Sequence, residues 1–328
     1  MGSRAAGPAD LRRVGVFLER TLMEGDGIVA SALPVTLAAN AAGSWMRYLP
    51  SVLGLGGRLR VYLEEQQGSV RSVAIVCDGR RPEWVVLTLA AHSGPGGADS
   101  AFGLLADLTA EAARNGIHRV FAAAPDRPGA HATFFQAGFY SYTRESWLVA
   151  PSTALPDPDS RSVAREASSR DAHDLFRFYL ATTPHAVQRA EQLTVEDFDP
   201  RRRASAYDPP HLVGGDPLGL RRVAVLIEGG VGALRTLALS YEGRDRHPHL
   251  LKVRSATGSV DDARALARAA LRTLEPGRPI VAPVRSYEEH VARALLSDGF
   301  HDAGTTMLFV KELAIRIEEP ALAPAVVR

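Results

Sequence analysis

The segment EWVVLTLAAHSGPGGADSAFGLL, residues 83–105, carries the pattern that decides the fold of this chain. Residues 83–92 are mostly apolar, as expected of a buried strand, and a glycine-rich loop follows them. A helix is then predicted over FGLLADLTAEAARNG, residues 102–116, because Gly116 stands where helices commonly end. The order of strand, glycine-rich loop and helix predicts an alternating α/β unit.

The sequence on either side of this segment predicts the other elements of the same unit. Asp10 is a natural N-cap for a helix over residues 11–23, which has its apolar side chains on one face. Two strand-like runs parted by Gln67-Gly68 predict a hairpin. A further strand over HRVFAAA and a short helix lead to Gly138-Phe139 and a last strand, SYTRESWLVA.

A gapless shift of 161 residues aligns a second copy of these features with the first. It brings five glycines of the first half onto glycines of the second, including Gly97 onto Gly258 and Gly138 onto Gly299. Glycines mark turns and helix ends, so their coincidence carries weight. Chance matches that arise from composition would not be expected to keep one register from Asp10 to Phe300. We therefore predict two domains, at residues 1–150 and 162–317, with a proline-rich linker at 151–161 and a tail at 318–328.

Composition excludes several classes of protein. The length of 328 residues suits two domains, and 46% hydrophobic with 23% charged residues excludes a disordered or collagen-like chain. The 38 basic and 37 acidic residues nearly cancel, so no nucleic-acid partner is expected. A single cysteine, Cys77, excludes an internal disulfide framework and a multi-cysteine zinc site. No signal peptide or membrane helix is evident, so we expect a cytoplasmic protein with no membrane partner and no metal.

The order of elements resembles the GNAT acetyltransferase superfamily, and its tandem members in particular. The resemblance rests on residues 83–105, 113–124 and 134–142, and on HPHLLKVRSATGSVDDARAL, RPIVAPV and HVARALLSDGF in the second copy. It implies an α/β (α+β) fold of two tandem domains, each a twisted, mostly antiparallel sheet flanked by helices. It also implies an acyl-CoA-dependent N-acyltransferase that moves an acetyl group to a small-molecule or peptide amine.

The resemblance implies that acetyl-CoA binds where the strand-to-helix loop presents backbone N–H groups to its pyrophosphate. We expect the first copy to bind it, although Asp99 and Ala101 stand where the family has glycines. A bulky residue at Gly97 should then remove binding and leave the fold nearly intact. In the second copy Asp261 and Asp262 would oppose a phosphate, or they stabilise the helix dipole. The expected cofactor-binding residues are Leu89, Ala90, Ala91, Ser93, Gly94, Gly96, Gly97, Ala98, Ser100 and Ala101.

Catalysis by this family often uses a tyrosine that protonates the leaving thiolate, four residues before the Gly-Phe glycine. Phe134 and Leu295 stand at that position here, and neither donates a proton. For the proton acceptor we expect Glu83 or His92, which flank the central strand of the first copy. The alternative is a catalytically silent tandem GNAT-fold protein that binds a ligand or acts as a scaffold. The acyl acceptor and the oligomeric state stay open.

Overall fold

The computed structural model of the chain describes residues 3–25, 27–32, 59–151, 164–201, 220–230, 233–244 and 247–314. The expected linker, apart from Pro151, and the expected tail lie outside the described residues.

The first copy contains the expected hairpin, central strand and helices. The helix after the glycine-rich loop begins at Gly97, five residues earlier than the sequence suggests, so the loop is short. The elements are β1 (Ser3–Ala5), α1 (Leu11–Glu24), β2 (Ile28–Ser31), β3 (Leu59–Gln66), β4 (Ser69–Asp78), β5 (Glu83–Ala91), α2 (Gly97–Arg114), β6 (Arg119–Pro125), α3 (Pro128–Gln136) and β7 (Tyr140–Ala150).

Among the described residues the second copy repeats this order, except that a helix, α5, stands where the first copy has β2. The elements are β8 (Arg165–Glu166), α4 (Ala172–Thr182), α5 (His185–Glu191), β9 (Leu220–Gly230), β10 (Ala233–Gly243), β11 (His249–Ser255), α6 (Val260–Leu271), β12 (Ile280–Arg285), α7 (Glu289–Ser297) and β13 (His301–Glu312).

The strands of both copies join into one sheet. Their order is β1-β3-β4-β5-β6-β13-β7-β12-β11-β10-β9-β8, with β2 paired to β5. Among the strand pairings of the described residues, β5–β6 and β11–β12 are parallel and the others antiparallel. The sheet is flanked by helices. The predicted α/β class, with a mostly antiparallel sheet in each copy, is therefore confirmed.

The two copies exchange their last strands. β13 pairs with β6 of the first copy, and β7 pairs with β12 of the second. β7 and β13 also pair with each other, with Glu145 opposite Thr306. Because these two residues are 161 positions apart, they occupy the same place in the two repeats, and a pseudo-twofold axis passes through the pair. The exchange makes each copy depend on the other for its sheet.

The beginnings of the two copies match at the predicted offset of 161. Arg4 forms an ion pair with Asp10, and Arg165 forms the same ion pair with Asp171. Asp10 does not cap α1 with its side chain as expected. Its carboxylate instead accepts the N–H of Gly7 at 2.8 Å and the Arg4 guanidinium, which fixes the turn that leads into the helix.

The hairpins and central strands match at a different offset. Ser72 faces Ala91 at one end of the β4–β5 ladder, and Thr236 faces Ser255 at the same end of β10–β11. In the first copy the N–H of His92 donates to the Arg71 carbonyl. In the second copy the N–H of Ala256 donates to the Arg235 carbonyl in the same way. Each of these pairs is 164 residues apart. The gapless register is therefore wrong in this region, because the second copy has three more residues before the hairpin.

The hydrophobic core is continuous on one face of the sheet and divided on the other. On one face, side chains of α1 and α4 such as Leu11 and Phe178 share a single cluster. On the opposite face, α2 and α3 cover the first copy, and α6 and α7 cover the second. The shared face is where the two copies can build a common site.

Candidate functional site

The candidate bases of the first copy lie at opposite ends of β5. They are nine residues apart, about 30 Å along an extended strand. The Glu83 carboxylate forms a buried ion pair with Arg119, which also donates to the Ala190 carbonyl at 3.1 Å. His92 is exposed, and its Nδ1 accepts the N–H of Gly94 at 2.7 Å. The structure does not bring Glu83 and His92 together.

The expected phosphate loop of the first copy is tightly packed against its own chain. A Cβ added to Gly97 would lie 1.8 Å from the His92 carbonyl oxygen, so the loop needs this glycine whether or not a ligand binds. The expectation that a bulky residue at Gly97 leaves the fold nearly intact is therefore wrong. Ser100 and Ala101 lie inside α2 and are buried, and the Ser100 hydroxyl lies 2.9 Å from that of Ser72.

The strands β5 and β6 pair at one end and then diverge, and we call the gap between them the first splay. The chain's own strand β2 lies in this gap. Those two strands pair only as far as Val86 opposite Ala122. Beyond that point β2 pairs with the free edge of β5, and the N–H of Ala91 donates to the Gly27 carbonyl at 2.8 Å. Arg127, just before α3, donates to the Ile28 carbonyl at 2.7 Å. The backbone edge that carries the expected residues Leu89, Ala90 and Ala91 is therefore occupied by β2.

The splay of the second copy is different. β11 and β12 pair at His249 with Ile280 and at Leu250 with Val281, and then diverge. In the described ranges no strand pairs with β11 beyond Leu250 on the side that faces β12. The following loop contains Gly258 in a left-handed conformation, with φ of +66° and open space where a Cβ would be. This cleft keeps a backbone edge that an extended ligand can use.

The start of α6 is arranged so that its acidic residues are compensated. Asp262 accepts hydrogen bonds from Arg235 at 2.7 Å and from the Thr257 hydroxyl at 2.9 Å. Ser259 caps the helix by accepting the N–H of Asp262 at 3.2 Å. The buried hydroxyl of Thr236, at the adjoining end of β10, finds no hydrogen-bond partner among the described residues. The negative charge near this helix start is thus partly neutralised.

Six buried ionic side chains, which we call the charged cluster, line the shared face beside this splay. They come from β7, α5, β11, β12 and the turn after β12. The members are Glu145, Glu191, Lys252, Arg254, Arg285 and Glu288.

Arginine–glutamate pairs organise the charged cluster. Arg254 Nε donates to Glu288 at 2.6 Å, and its Nη2 donates to the Thr183 hydroxyl at 2.9 Å. Arg285 Nη2 donates to Glu191 at 2.6 Å. Burying charges is costly even when they are paired, so such a set marks a candidate functional site more than a source of stability.

The surroundings shift the pKa values of several groups in the charged cluster. Burial, followed by the charge of Arg285, lowers the pKa of Lys252 to about 8. Burial on its own would raise the pKa of Glu191, but the charge and hydrogen bond of Arg285 outweigh it and the pKa is lowered. Burial raises the pKa of Tyr287, whose hydroxyl lies 3.2 Å from Arg285 Nη1. The pKa of Lys252 is therefore lowered toward neutral pH.

The first copy has no equivalent of this cluster at the matching positions. Thr88 and Ala90 stand where the second copy has Lys252 and Arg254, at the offset of 164. The cluster was not predicted from the sequence, although the strand HLLKVRS carries a signal for it. Lysine and arginine at alternate positions of an otherwise apolar strand share one face, which predicts charges inside the fold.

The positions where the resemblance to GNAT enzymes would place an acid tyrosine are apolar in the structure. Phe134 is buried and stacks on Phe309, with ring centroids 4.9 Å apart, and Leu295 is buried in the core under α6 and α7. His249 has a structural role, because its Nδ1 accepts the N–H of Gly243 at 3.2 Å and its Nε2 lies 2.8 Å from the Glu275 carbonyl. The described part of the chain contains no group of three or more metal-ligating side chains, and no helix long and apolar enough to cross a membrane.

Comparison with solved structures finds likenesses over nearly the whole chain. A tandem GNAT protein from the clavulanic acid biosynthesis pathway is 12% identical, with a TM-score of 0.53 over 94% of this chain and 98% of that one. A GCN5-related N-acetyltransferase from Sphaerobacter thermophilus is 16% identical, with a TM-score of 0.52 over 94% and 95%. A putative acetyltransferase from Pyrococcus horikoshii is 10% identical, with a TM-score of 0.50 over 95% and 89%. No protein-family model and no curated protein matches the sequence.

Proposed function

We propose that this chain, which has the fold of tandem GNAT acetyltransferases, is an acyl-CoA-dependent N-acyltransferase with its cofactor cleft in the second copy. The observation that carries the choice of copy is the position of β2, which pairs with the edge of β5 in the first splay, whereas no strand of the described residues pairs with the corresponding edge of β11 in the second. The acceptor is a small-molecule or peptide amine, and we expect the reaction to take place in the cytoplasm.

The second splay, between β11 and β12, suits two parts of an acyl-CoA molecule. The pantetheine arm is an extended chain with amide groups, and such a chain can add to a free sheet edge through backbone hydrogen bonds. The pyrophosphate is anionic, and the left-handed Gly258 lets the backbone approach it at the start of α6. The buried hydroxyl of Thr236 at the end of β10 has no hydrogen-bond partner in the described part of the chain, which supports a polar ligand group there.

The charged cluster would line the side of the cleft where the acceptor amine reacts with the thioester. Its arginines hold Glu191 and Glu288 as fixed carboxylates, and Arg254 is anchored to Thr183 on the neighbouring turn. Groups that are held in place before the reaction cost no reorganisation when charge develops on the reacting atoms.

The experiment compares matched variants of the two loops by calorimetry with acetyl-CoA. Gly258→Asp adds a negative charge beside the proposed pyrophosphate site, and Gly258→Asn adds the same shape without the charge. Both residues tolerate a left-handed conformation better than most. Gly96, with φ of +79°, allows the same pair of changes in the first copy. We expect Gly258→Asp to bind acetyl-CoA about 5-fold more weakly than Gly258→Asn, a difference of about 1 kcal/mol, with no such difference at Gly96.

A difference confined to the Gly96 pair would return the cofactor to the first copy, where His92 and Glu83 would then be the candidate bases. Turnover is followed as release of free thiol across a panel of primary amines. Tight acetyl-CoA binding without turnover on any amine would favour the silent ligand-binding alternative, and no binding at all would refute the proposal.

A further inference from the structure

Lys252 stands at the point where the second splay opens. It lies two residues beyond Leu250, the last residue of β11 that pairs with β12, which places it about 7 Å along the strand from the end of the ladder. Its side chain shares a face of the sheet with Arg254, toward α4, and only 7% of the residue is exposed. A ligand laid along the edge of β11 beyond Leu250 would pass directly beside it.

Charged groups face Lys252 from its own strand and from four neighbouring segments. Arg254 comes from its own strand, Arg285 from β12 and Glu145 from β7. Glu288 comes from the turn after β12, and Glu191 at the end of α5 is also within electrostatic reach. The opposing strand β10 contributes the apolar Leu239 opposite Lys252. Each arginine of the cluster is hydrogen-bonded to a carboxylate, so Lys252 is the cation that remains able to exchange a proton.

We propose that Lys252 is a catalytic residue that carries a proton from the acceptor nitrogen to the leaving sulfur. This inference rests on the proposed acyltransferase function in the second copy. It supplies the proton donor that is missing where Leu295 replaces the tyrosine of the family, and it uses one group for both proton transfers.

Lys252 takes part in both proton transfers of a single acyl transfer. The neutral acceptor amine attacks the thioester carbonyl carbon, and a C–N bond forms. The proton of the attacking nitrogen passes to the neutral Lys252 amine. The C–S bond then breaks, its electron pair goes to sulfur, and the Lys252 ammonium gives the proton to the thiolate. The products are an amide and free CoA thiol, and Lys252 is neutral again.

The lowered pKa of Lys252, about 8, supports this role. It lies close to the value of about 8.5 for an ordinary thiol, so the ammonium and a thiolate are matched for proton transfer. A lysine with its ordinary pKa of about 10.4 would hold its proton too tightly to act as a base near neutral pH.

The first test measures this property without any ligand. Lys252 and Lys311 are the only lysines of the chain, so protein labelled with ¹³C at lysine Cε gives two side-chain signals. Lys311 donates to the Ala137 carbonyl in the first copy, and Lys311→Arg assigns its signal while keeping a donor there. We expect the Lys252 signal to titrate with a midpoint near pH 8. A midpoint above pH 10 would overturn the proposal.

The second test measures turnover and binding together. In the parent protein, kcat should change with pH around the same midpoint as the NMR signal. Lys252→Arg keeps the charge but cannot release a proton, and Lys252→Met removes both. We expect kcat to fall about 10²- to 10⁴-fold in each, without the inflection near pH 8 and with an unchanged Kd for acetyl-CoA. Lys311→Arg serves as the control and should retain the parent's rate and pH profile.

Calorimetry separates the two levels of the proposal. If the parent protein does not bind acetyl-CoA, the acyltransferase function itself is refuted. If both Lys252 variants bind it normally and turn over within about 3-fold of the parent, the role of Lys252 alone is refuted. Should Lys252→Met fail to fold, Lys252→Arg and the NMR titration still decide the question.

Discussion

Gly27→Val should detach β2 from the edge of β5. A Cβ at Gly27 would lie 2.3 Å from the Ala91 carbonyl oxygen and 2.5 Å from Cγ2 of Thr21. The first neighbour is backbone of a central strand and cannot move away, so the incoming side chain must displace β2. The substitution therefore tests whether this strand closes the first splay.

The expected cost follows from what β2 contributes in place. Two backbone hydrogen bonds, from Ala91 to Gly27 and from Ala32 to Leu87, contribute about 1 kcal/mol each. Burial of Ile28, of which 1% is exposed, contributes about 2 to 3 kcal/mol. These terms add up to about 4 to 5 kcal/mol, which is the largest fall in the free energy of unfolding that we expect, because the area-based part is an upper value.

Amide hydrogen exchange is the decisive assay, supported by urea unfolding. The amides of Ala91 and Ala32 should lose their protection in Gly27→Val, while that of His92, which bonds to Arg71, should keep it. Gly103→Ala is the control, because its Cβ in α2 meets nothing within 4 Å and alanine favours a helix. If the amides of Ala91 and Ala32 stay protected in Gly27→Val, the substitution does not detach β2, and the reasoning that β2 closes the first splay through this contact is refuted.

Three further predictions concern side-chain pairs, two within a single copy and one between the copies. The hydrogen bond from Arg4 lowers the pKa of Asp10 to about 2, so this stabilisation should be complete above about pH 4 and lost as the pH falls toward 2. Acid titration of stability in Asp10→Asn should lack this contribution, which is below about 1 kcal/mol because Arg4 is half exposed. Glu288→Gln removes the charge that balances the buried Arg254, so the free energy of unfolding measured with urea should fall by about 3 to 5 kcal/mol. A fall of under about 1 kcal/mol would contradict the buried pairing. Phe309→Ala should lower the free energy of unfolding by about 3 to 5 kcal/mol. Although Phe309 belongs to the second repeat, the substitution should expose amides of the first copy to hydrogen exchange, because β13 pairs with β6. Changes limited to the second copy would contradict the strand exchange.

Much of the local structure could be predicted from the sequence. The hairpin of β3 and β4 turns at Gln67-Gly68 as expected, and the strand β5 forms within one residue of the expected limits. The glycines at helix ends, Gly116 and Gly138, have the left-handed φ that their positions predicted. These features depend on hydrophobic periodicity and on the backbone freedom of glycine, which act over a few residues.

The candidate site could be predicted only in part. The glycine-rich loop Ser93–Gly97 suggested the first copy as the cofactor site, yet the sequence did not indicate that residues 28–31 would occupy the adjoining splay. The insertion depends on a contact between segments about 60 residues apart. Local patterns carry no information about such a contact, whereas the buried charges of HLLKVRS could have drawn attention to the second copy.

The sequence by itself determined that the chain is a duplicated α/β protein, because each element needs only its own apolar pattern and its own turn residues. Only the tertiary structure decided that β7 and β13 change places and that one face of the sheet has a shared core. It also decided that Glu145 and Glu191, from distant segments, meet Lys252 and Arg285 there. Strand exchange and buried ion pairs depend on which of several similar edges and charges come together, and that choice is made by packing over the whole molecule and not by any single stretch of sequence.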